Sequence, residues 1–172
     1  MSVVLVDGRS GSGKTELAKA LALETDAQLV RLDDLYPGWG GLDAGSAAVA
    51  SILRTGRWQR FDWSTNAFAE WHDIDVDAPL IIEGCGALSR ANRALANYGI
   101  WVSFPDDARK KRALDRDGAM FAPHWDAWAA QEQAFIAREN PAALADEIVD
   151  GAHVTVHVAR WRALLNPATV DL

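Results

Sequence analysis

No other stretch constrains this chain as much as Gly8-Arg9-Ser10-Gly11-Ser12-Gly13-Lys14-Thr15. It fits the phosphate-binding pattern of Gly, four residues, then Gly-Lys-Ser/Thr. Before it, Val3-Val4-Leu5-Val6 predicts a short buried parallel strand. Behind it, Leu17, Ala18, Ala20, Leu21 and Ala22 predict a helix. Strand, glycine turn and helix are the context the chemistry needs. Residues Gly8, Arg9, Ser10, Gly11, Ser12 and Gly13 would curl their backbone N–H groups around a phosphate, with the helix N-terminus adding positive potential. Lys14 would reach the β- and γ-phosphates of ATP, and Thr15 would offer its hydroxyl to Mg²⁺.

Further short apolar runs repeat the theme. Strands are expected at Val3–Asp7, Gln28–Leu32, Leu80–Glu83, Ile100–Phe104 and Glu147–Val149. Helices are expected from Lys14 to about Leu23, and over Ser46–Leu53, Ser89–Asn97, Asp106–Arg116 and His124–Arg138, with Ser89 as an N-cap. Residues 153–172 read as an edge strand, from the alternation of Val154, Val156 and Val158, followed by a short helix. Alternation of strand and helix means an α/β fold, a parallel sheet with helices on both faces. A chain of 172 residues that is 49% hydrophobic can bury a real core. Its net charge of −7 argues against a general nucleic-acid binder. One cysteine, Cys85, excludes an internal disulfide and fits a cytoplasmic setting. The N-terminus enters a strand that the loop requires, so no cleaved signal is expected, and no apolar run approaches membrane-spanning length.

In open parallel sheets ligands gather at the carboxyl ends of strands. Asp7, Asp33 and Glu83 fall there in this reading. Asp33 could orient or deprotonate an acceptor hydroxyl; Asp34 beside it is the alternative, or the pair could serve an Asx turn before Tyr36-Pro37-Gly38. Glu83 ends the apolar Leu80-Ile81-Ile82 and could position water or Mg²⁺ at the γ-phosphate. Arg109, Arg112 and Arg116 share one helix face; the last two stand where a mobile lid could screen charge on the transferring group, with Gly118 as a hinge. Their bland reading is a solvated face paired with Asp106, Asp107, Asp115 and Asp117. Of eight tryptophans, Trp125 and Trp128 read as core, whereas Trp63, next to Asp62, and Trp39, in a glycine-rich segment, could wall a pocket. Arg54, Arg57 and Arg60 would suit an acceptor phosphate if they turn inward.

These pieces together resemble the uridine kinase, phosphoribulokinase and bacterial pantothenate kinase group of P-loop kinases. The resemblance rests on Asp7 to Thr15, Leu32-Asp33-Asp34-Leu35-Tyr36, Arg60-Phe61-Asp62-Trp63 and Ile81-Ile82-Glu83-Gly84, and extends to about Arg116. It implies a P-loop NTPase three-layer sandwich, here one domain over residues 1–172 with a lid around 112–124. It implies an acceptor-side base at Asp33, acceptor contacts at Tyr36, Asp62 and Trp63, a metal role for Thr15 and Glu83, and lid arginines at Arg112 and Arg116. Trp63-Ser64-Thr65 stands where uridine kinases carry a Pro-containing turn, and the glycine-rich segment after Tyr36 is not typical of them. The implied activity is an ATP- and Mg²⁺-dependent kinase acting on a hydroxyl of a small metabolite, a nucleoside among the candidates, without nucleic acid or membrane as partner. Two other readings stand beside it: a nucleoside monophosphate kinase, and a regulatory ATPase with no small-molecule acceptor. No Asn-Lys-x-Asp guanine motif is present.

Overall fold

Short β-branched runs bounded by turns cannot satisfy their backbone groups alone, and here they do so side by side. In the computed structural model, which describes residues 2–154 and Trp161, five strands form one parallel sheet. They are β1 (Val3–Asp7), β2 (Gln28–Arg31), β5 (Leu80–Glu83), β6 (Tyr98–Ser103) and β7 (Glu147–Asp150), in the order β2-β5-β1-β6-β7. Register pairs Val6 with both Glu83 and Ile100, and Arg31 with Glu83. The carboxyl ends of β2, β5 and β1 therefore lie level, directly before the glycine loop.

Side chains alternate across a strand, and both faces are buried. Val4 and Val6 pack with Leu17, Ala18 and Leu21 of α1 (Lys14–Thr25). Val3 and Leu5 pack on the other face with α2 (Leu42–Thr55), α4 (Asp106–Phe121) and α5 (Trp125–Glu139). Helices on both faces of a parallel sheet make the α/β three-layer sandwich expected.

Three expectations need correction. The helix over Ser89–Asn97 is a single turn, α3 (Arg90–Arg93). Ser89 does cap it, accepting from Asn92 N at 3.1 Å. But buried Asn92 donates to Ser46 O and Ala87 O, and Asn97 Oδ1 accepts from Val3 N at 2.8 Å, so the chain has already turned to lie along β1. Second, residues 57–73, given no element from sequence, form an antiparallel hairpin of β3 (Arg57–Asp62) and β4 (Ala67–Asp73). Third, α4 runs past Arg116 to Phe121 and is broken at Gly118, where φ is 48° and ψ −127°. A one-turn helix, α6 (Pro141–Leu144), precedes β7. The strand-and-helix reading of 153–172 lies outside the described residues, except that Val154 and Trp161 are buried against the α1 face.

Candidate active site

The glycine loop closes on itself before it opens into α1. Ser12 N donates to Arg9 O, and Gly13 stands directly ahead of Lys14 as the cap of α1. At Gly11 φ is 78°, and a Cβ there would run into the Arg109 carbonyl of α4. Only glycine gives both the left-handed turn and that approach. Asp7, fully buried, accepts from Gly8 N (2.6 Å), Gly86 N (3.1 Å) and Leu88 N (2.8 Å), tying the loop to the segment after β5. Burial pushes its carboxyl up to about 7, against those three amides.

Lys14 and Thr15 are buried at the start of α1. Burial opposes the ammonium charge, but the carboxylates of Glu83, Asp33 and Glu132 outweigh it and hold Lys14 protonated. Thr15 donates its hydroxyl to Glu83 Oε1 at 3.1 Å. Glu83 Oε2 is buried and, among the described residues, has no hydrogen-bond partner. Burial is also the main force raising the Glu83 pKa, with Lys14 opposing it. A buried carboxylate oxygen left without a donor, next to a threonine hydroxyl, suits a hard cation or its water, so the donor set fits Mg²⁺.

Asp33 sits in a 3₁₀ turn (Leu32–Asp34) that ends β2. Its Oδ2 accepts from Arg31 Nη2 at 3.0 Å, and its carbonyl accepts from Trp63 Nε1 at 2.8 Å. Arg31 Nε also donates to Glu83 Oε1 at 3.3 Å, so one guanidinium spans both carboxylates. Asp33 then faces a cavity of about 360 Å³ together with Lys14, Ser10 and Arg116. The rest of the lining is Tyr36, Trp39, Trp63, Met120, Phe121 and Trp128. Tyr36 spends its hydroxyl on Cys85 O at 2.8 Å, and Trp63 spends its N–H on Asp33, so both offer the cavity ring surface. Trp39 stacks on His124 and Phe121, with ring centroids 4.4 and 5.4 Å away.

The structure thus brings Lys14, Asp33, Tyr36, Trp63 and Arg116 to one cavity, with Thr15 and Glu83 bonded to each other and tied to Asp33 through Arg31. Asp34 does not line it. Arg112 does not either: its Nη1 reaches Gly151 O (3.2 Å) and Gly11 O (3.5 Å), and its guanidinium lies over Phe104 at 4.1 Å. It braces the outer side of the glycine loop. Asp62, expected at acceptor hydroxyls, is taken up by the hairpin turn, accepting from Ser64 N (2.9 Å) and Ser64 Oγ (2.6 Å). Arg57 and Arg60 pair with Asp73 and Glu70 across the hairpin, and Arg54 is exposed; none lines the cavity.

Five contributors escaped the sequence reading, Met120 of the cavity lining among them. Arg31 had a usable signal: it stands two residues before Asp33 and opposite Glu83 in the register. Trp128, read as core only, is core and cavity wall at once. Phe121 completes that wall from beyond the Gly118 break. Glu132, buried on α5, accepts from Ser10 N at 2.7 Å and Arg9 Nε at 3.0 Å; nothing local marks it.

No protein-family model matches the chain. Its sequence is 28% identical over 131 residues to a tRNA dimethylallyltransferase from Parafrankia sp. (strain EAN1pec), a match covering 70% of this chain and 41% of that protein. It is 27% identical over 122 residues to a cytidylate kinase from Methanococcoides burtonii, covering 69% and 65%. The chain therefore spans less than two thirds of the length of either relative. Among solved structures, a possible uridine kinase from Bacillus stearothermophilus superposes with a TM-score of 0.58 at 19% identity, covering 87% of this chain and 88% of that one. A gluconokinase from Sinorhizobium meliloti 1021 does so at 0.58 and 17%, covering 96% and 92%. A shikimate kinase from Bacteroides thetaiotaomicron gives 0.58 at 14%, covering 96% and 98%. The fold is that of the P-loop kinases.

Proposed function

We propose that this chain, built on the P-loop kinase fold, is an ATP-dependent phosphotransferase. It moves the γ-phosphoryl group of Mg·ATP to a hydroxyl of a small, uncharged metabolite, with a nucleoside as the favoured candidate. One observation carries the reading: Lys14 of the phosphate loop and Asp33 face the same aromatic-walled cavity. Gly8 N, Ser10 N and Ser12 N are spent on Asp7, Glu132 and Arg9 O, so the remaining loop amides and those opening α1, with Lys14, bind the phosphates. Thr15 and Glu83 would hold Mg²⁺, which when bound would supply positive charge against the phosphates. Asp33 accepts the proton of the acceptor hydroxyl as its oxygen bonds to the γ-phosphorus and ADP departs. Arg116 faces the charge that builds on the transferring group, while Arg112 supports the loop from outside. Residues 112–124 form the lid of a single domain.

The acceptor class follows from what the walls offer. Five aromatic rings accept a planar or apolar face. Among the described residues lining the cavity, Asp33 is the carboxylate, suited to accept from an acceptor hydroxyl, and Lys14 and Arg116 are the cations. Arg54, Arg57 and Arg60, the arginines that would have suited an acceptor phosphate, do not line the cavity, which weighs against a monophosphate kinase. Among the described residues no helix is long and apolar enough to cross a membrane. A cytoplasmic place is part of this proposal, not of that observation.

The test is ADP release from Mg·ATP across panels of nucleosides, nucleotides, sugars and vitamin precursors. Release that rises sharply with a neutral ring-bearing alcohol supports the reading. Release at the same rate with and without every acceptor would make the chain an ATPase and sink it.

A further inference from the structure

A negative charge beside an anion-binding loop is a conflict that needs a reason. Glu132 presents one: its side chain is 2% exposed, and its Oε1 lies 2.7 Å from Ser10 N inside the glycine loop. Coulomb's law makes this carboxylate repel an incoming triphosphate. Its own burial would be costly without partners. Arg9 Nε at 3.0 Å and Arg109 Nη1 at 3.7 Å neutralise it, and Cys85 Sγ donates to Oε1 at 3.4 Å. Three side chains are thus committed to keeping one carboxylate where it disfavours the ligand. What it supplies in return is an acceptor for the Ser10 amide. With Gly8 N held by Asp7 and Ser12 N held by Arg9 O, every second amide from Gly8 to Ser12 is tied.

The same helix reaches the other substrate. Trp128, one turn before Glu132 on α5, walls the acceptor cavity. Gln131 between them donates to Trp39 O at 2.7 Å and accepts from Leu42 N at 3.4 Å. One helical turn therefore touches the phosphate loop and the acceptor wall. We propose that Glu132 is a positioning residue for phosphoryl transfer. It locks the leading half of the loop in its anion-receiving shape and joins it, through α5, to the acceptor cavity. The inference rests on the phosphotransferase reading above and adds a residue to it.

Two conservative variants separate reach from charge. Glu132→Asp keeps the charge but falls short of Ser10 N; Glu132→Gln keeps an oxygen in reach and removes the charge. Mg·ATP affinity is measured by calorimetry without acceptor, alongside thermal unfolding and hydrogen exchange of the Ser10 amide. A positioning role predicts that Glu132→Asp weakens Mg·ATP about tenfold and unprotects the Ser10 amide. It predicts that Glu132→Gln weakens binding less, and that KM for ATP rises in both while kcat changes little. If Glu132→Gln tightens Mg·ATP and Glu132→Asp leaves it unchanged, the residue acts by charge alone and the proposal is overturned. Both variants melting lower with unaltered Mg·ATP affinity would overturn it too, as mere support of the fold. A wild-type protein that binds no Mg·ATP removes the phosphotransferase reading itself, a result distinct from these.

Discussion

Asp33 owes its position to three neighbours: Arg31 on its carboxylate, Trp63 on its carbonyl, and the 3₁₀ turn that ends β2. Asp33→Asn keeps the shape and removes the proton acceptor. We expect kcat to fall at least ~100-fold in the ADP-release assay with Mg·ATP affinity retained. Near-normal turnover would strip Asp33 of its role. Trp63→Phe preserves the ring and deletes the bond to Asp33 O. Losing one half-buried hydrogen bond of about 1 kcal/mol should raise acceptor KM roughly fivefold and leave KM for ATP alone. An equal rise in both constants would mean that Trp63 supports the whole site and not the acceptor side.

Helix α4 is the element whose form depends most on one backbone angle pair. At Gly118 a Cβ would meet no atom within 4 Å, so a substitution there is opposed by conformation alone. Gly118→Ala should cost about 1–3 kcal/mol of stability or force α4 to straighten. Straightening would carry Met120 and Phe121 away from the cavity, so acceptor KM should rise while Mg·ATP binding persists. Unchanged melting and unchanged KM would show that the break is not needed. The hairpin β3–β4 had no legible signal, for a physical reason. Strand patterning marks a half-buried face, and this hairpin has little of one: Phe68 and Trp71 are exposed, and Arg57–Asp73 and Arg60–Glu70 pair across its surface. The central strands β1 and β5 were legible because burial on both faces demands continuous apolar residues, and the edge strands β2 and β7 through their shorter apolar pairs, Leu29-Val30 and Ile148-Val149. The Ser89–Asn97 helix failed because Asn92 and Asn97 spend their side chains on other segments, which helical propensity does not register.

For the molecule as a unit, ligand and proton both report on folding. Mg·ATP binds only the native chain in this reading, so at about 100 times its Kd it should stabilise by about 2.7 kcal/mol, and chelating the metal should reverse most of the rise in Tm. Asp7 adds a pH dependence. Burial raises its folded pKa from 3.8 to about 7, so the folded chain keeps a proton that the unfolded chain has released. The stability from that proton is fully present below about pH 4 and is lost as the pH climbs to about 7. Urea midpoints of wild type and Asp7→Asn, compared near pH 5 and near pH 8, should show wild type losing ground to the variant at the higher pH. Parallel behaviour would assign the titration elsewhere.

The glycine loop, its flanking strand and helix, and the acids at the strand ends were legible in the linear chain. Each depends on neighbours within a few residues: glycines for the turn, β-branched runs for the strand, an acid where the strand stops. The company those residues keep was not legible. Arg31 spans Asp33 and Glu83 because β2 and β5 pair in register, and Glu132 reaches Ser10 from more than a hundred residues away because α5 folds back over the loop. Asp62 went to its own turn and Arg112 to the outside of the loop, since a side chain bonds whatever the packed chain sets within reach. Local sequence carries the chemistry of backbone and turn; long-range packing assigns the partners, and with them the shape and charge of the cavity.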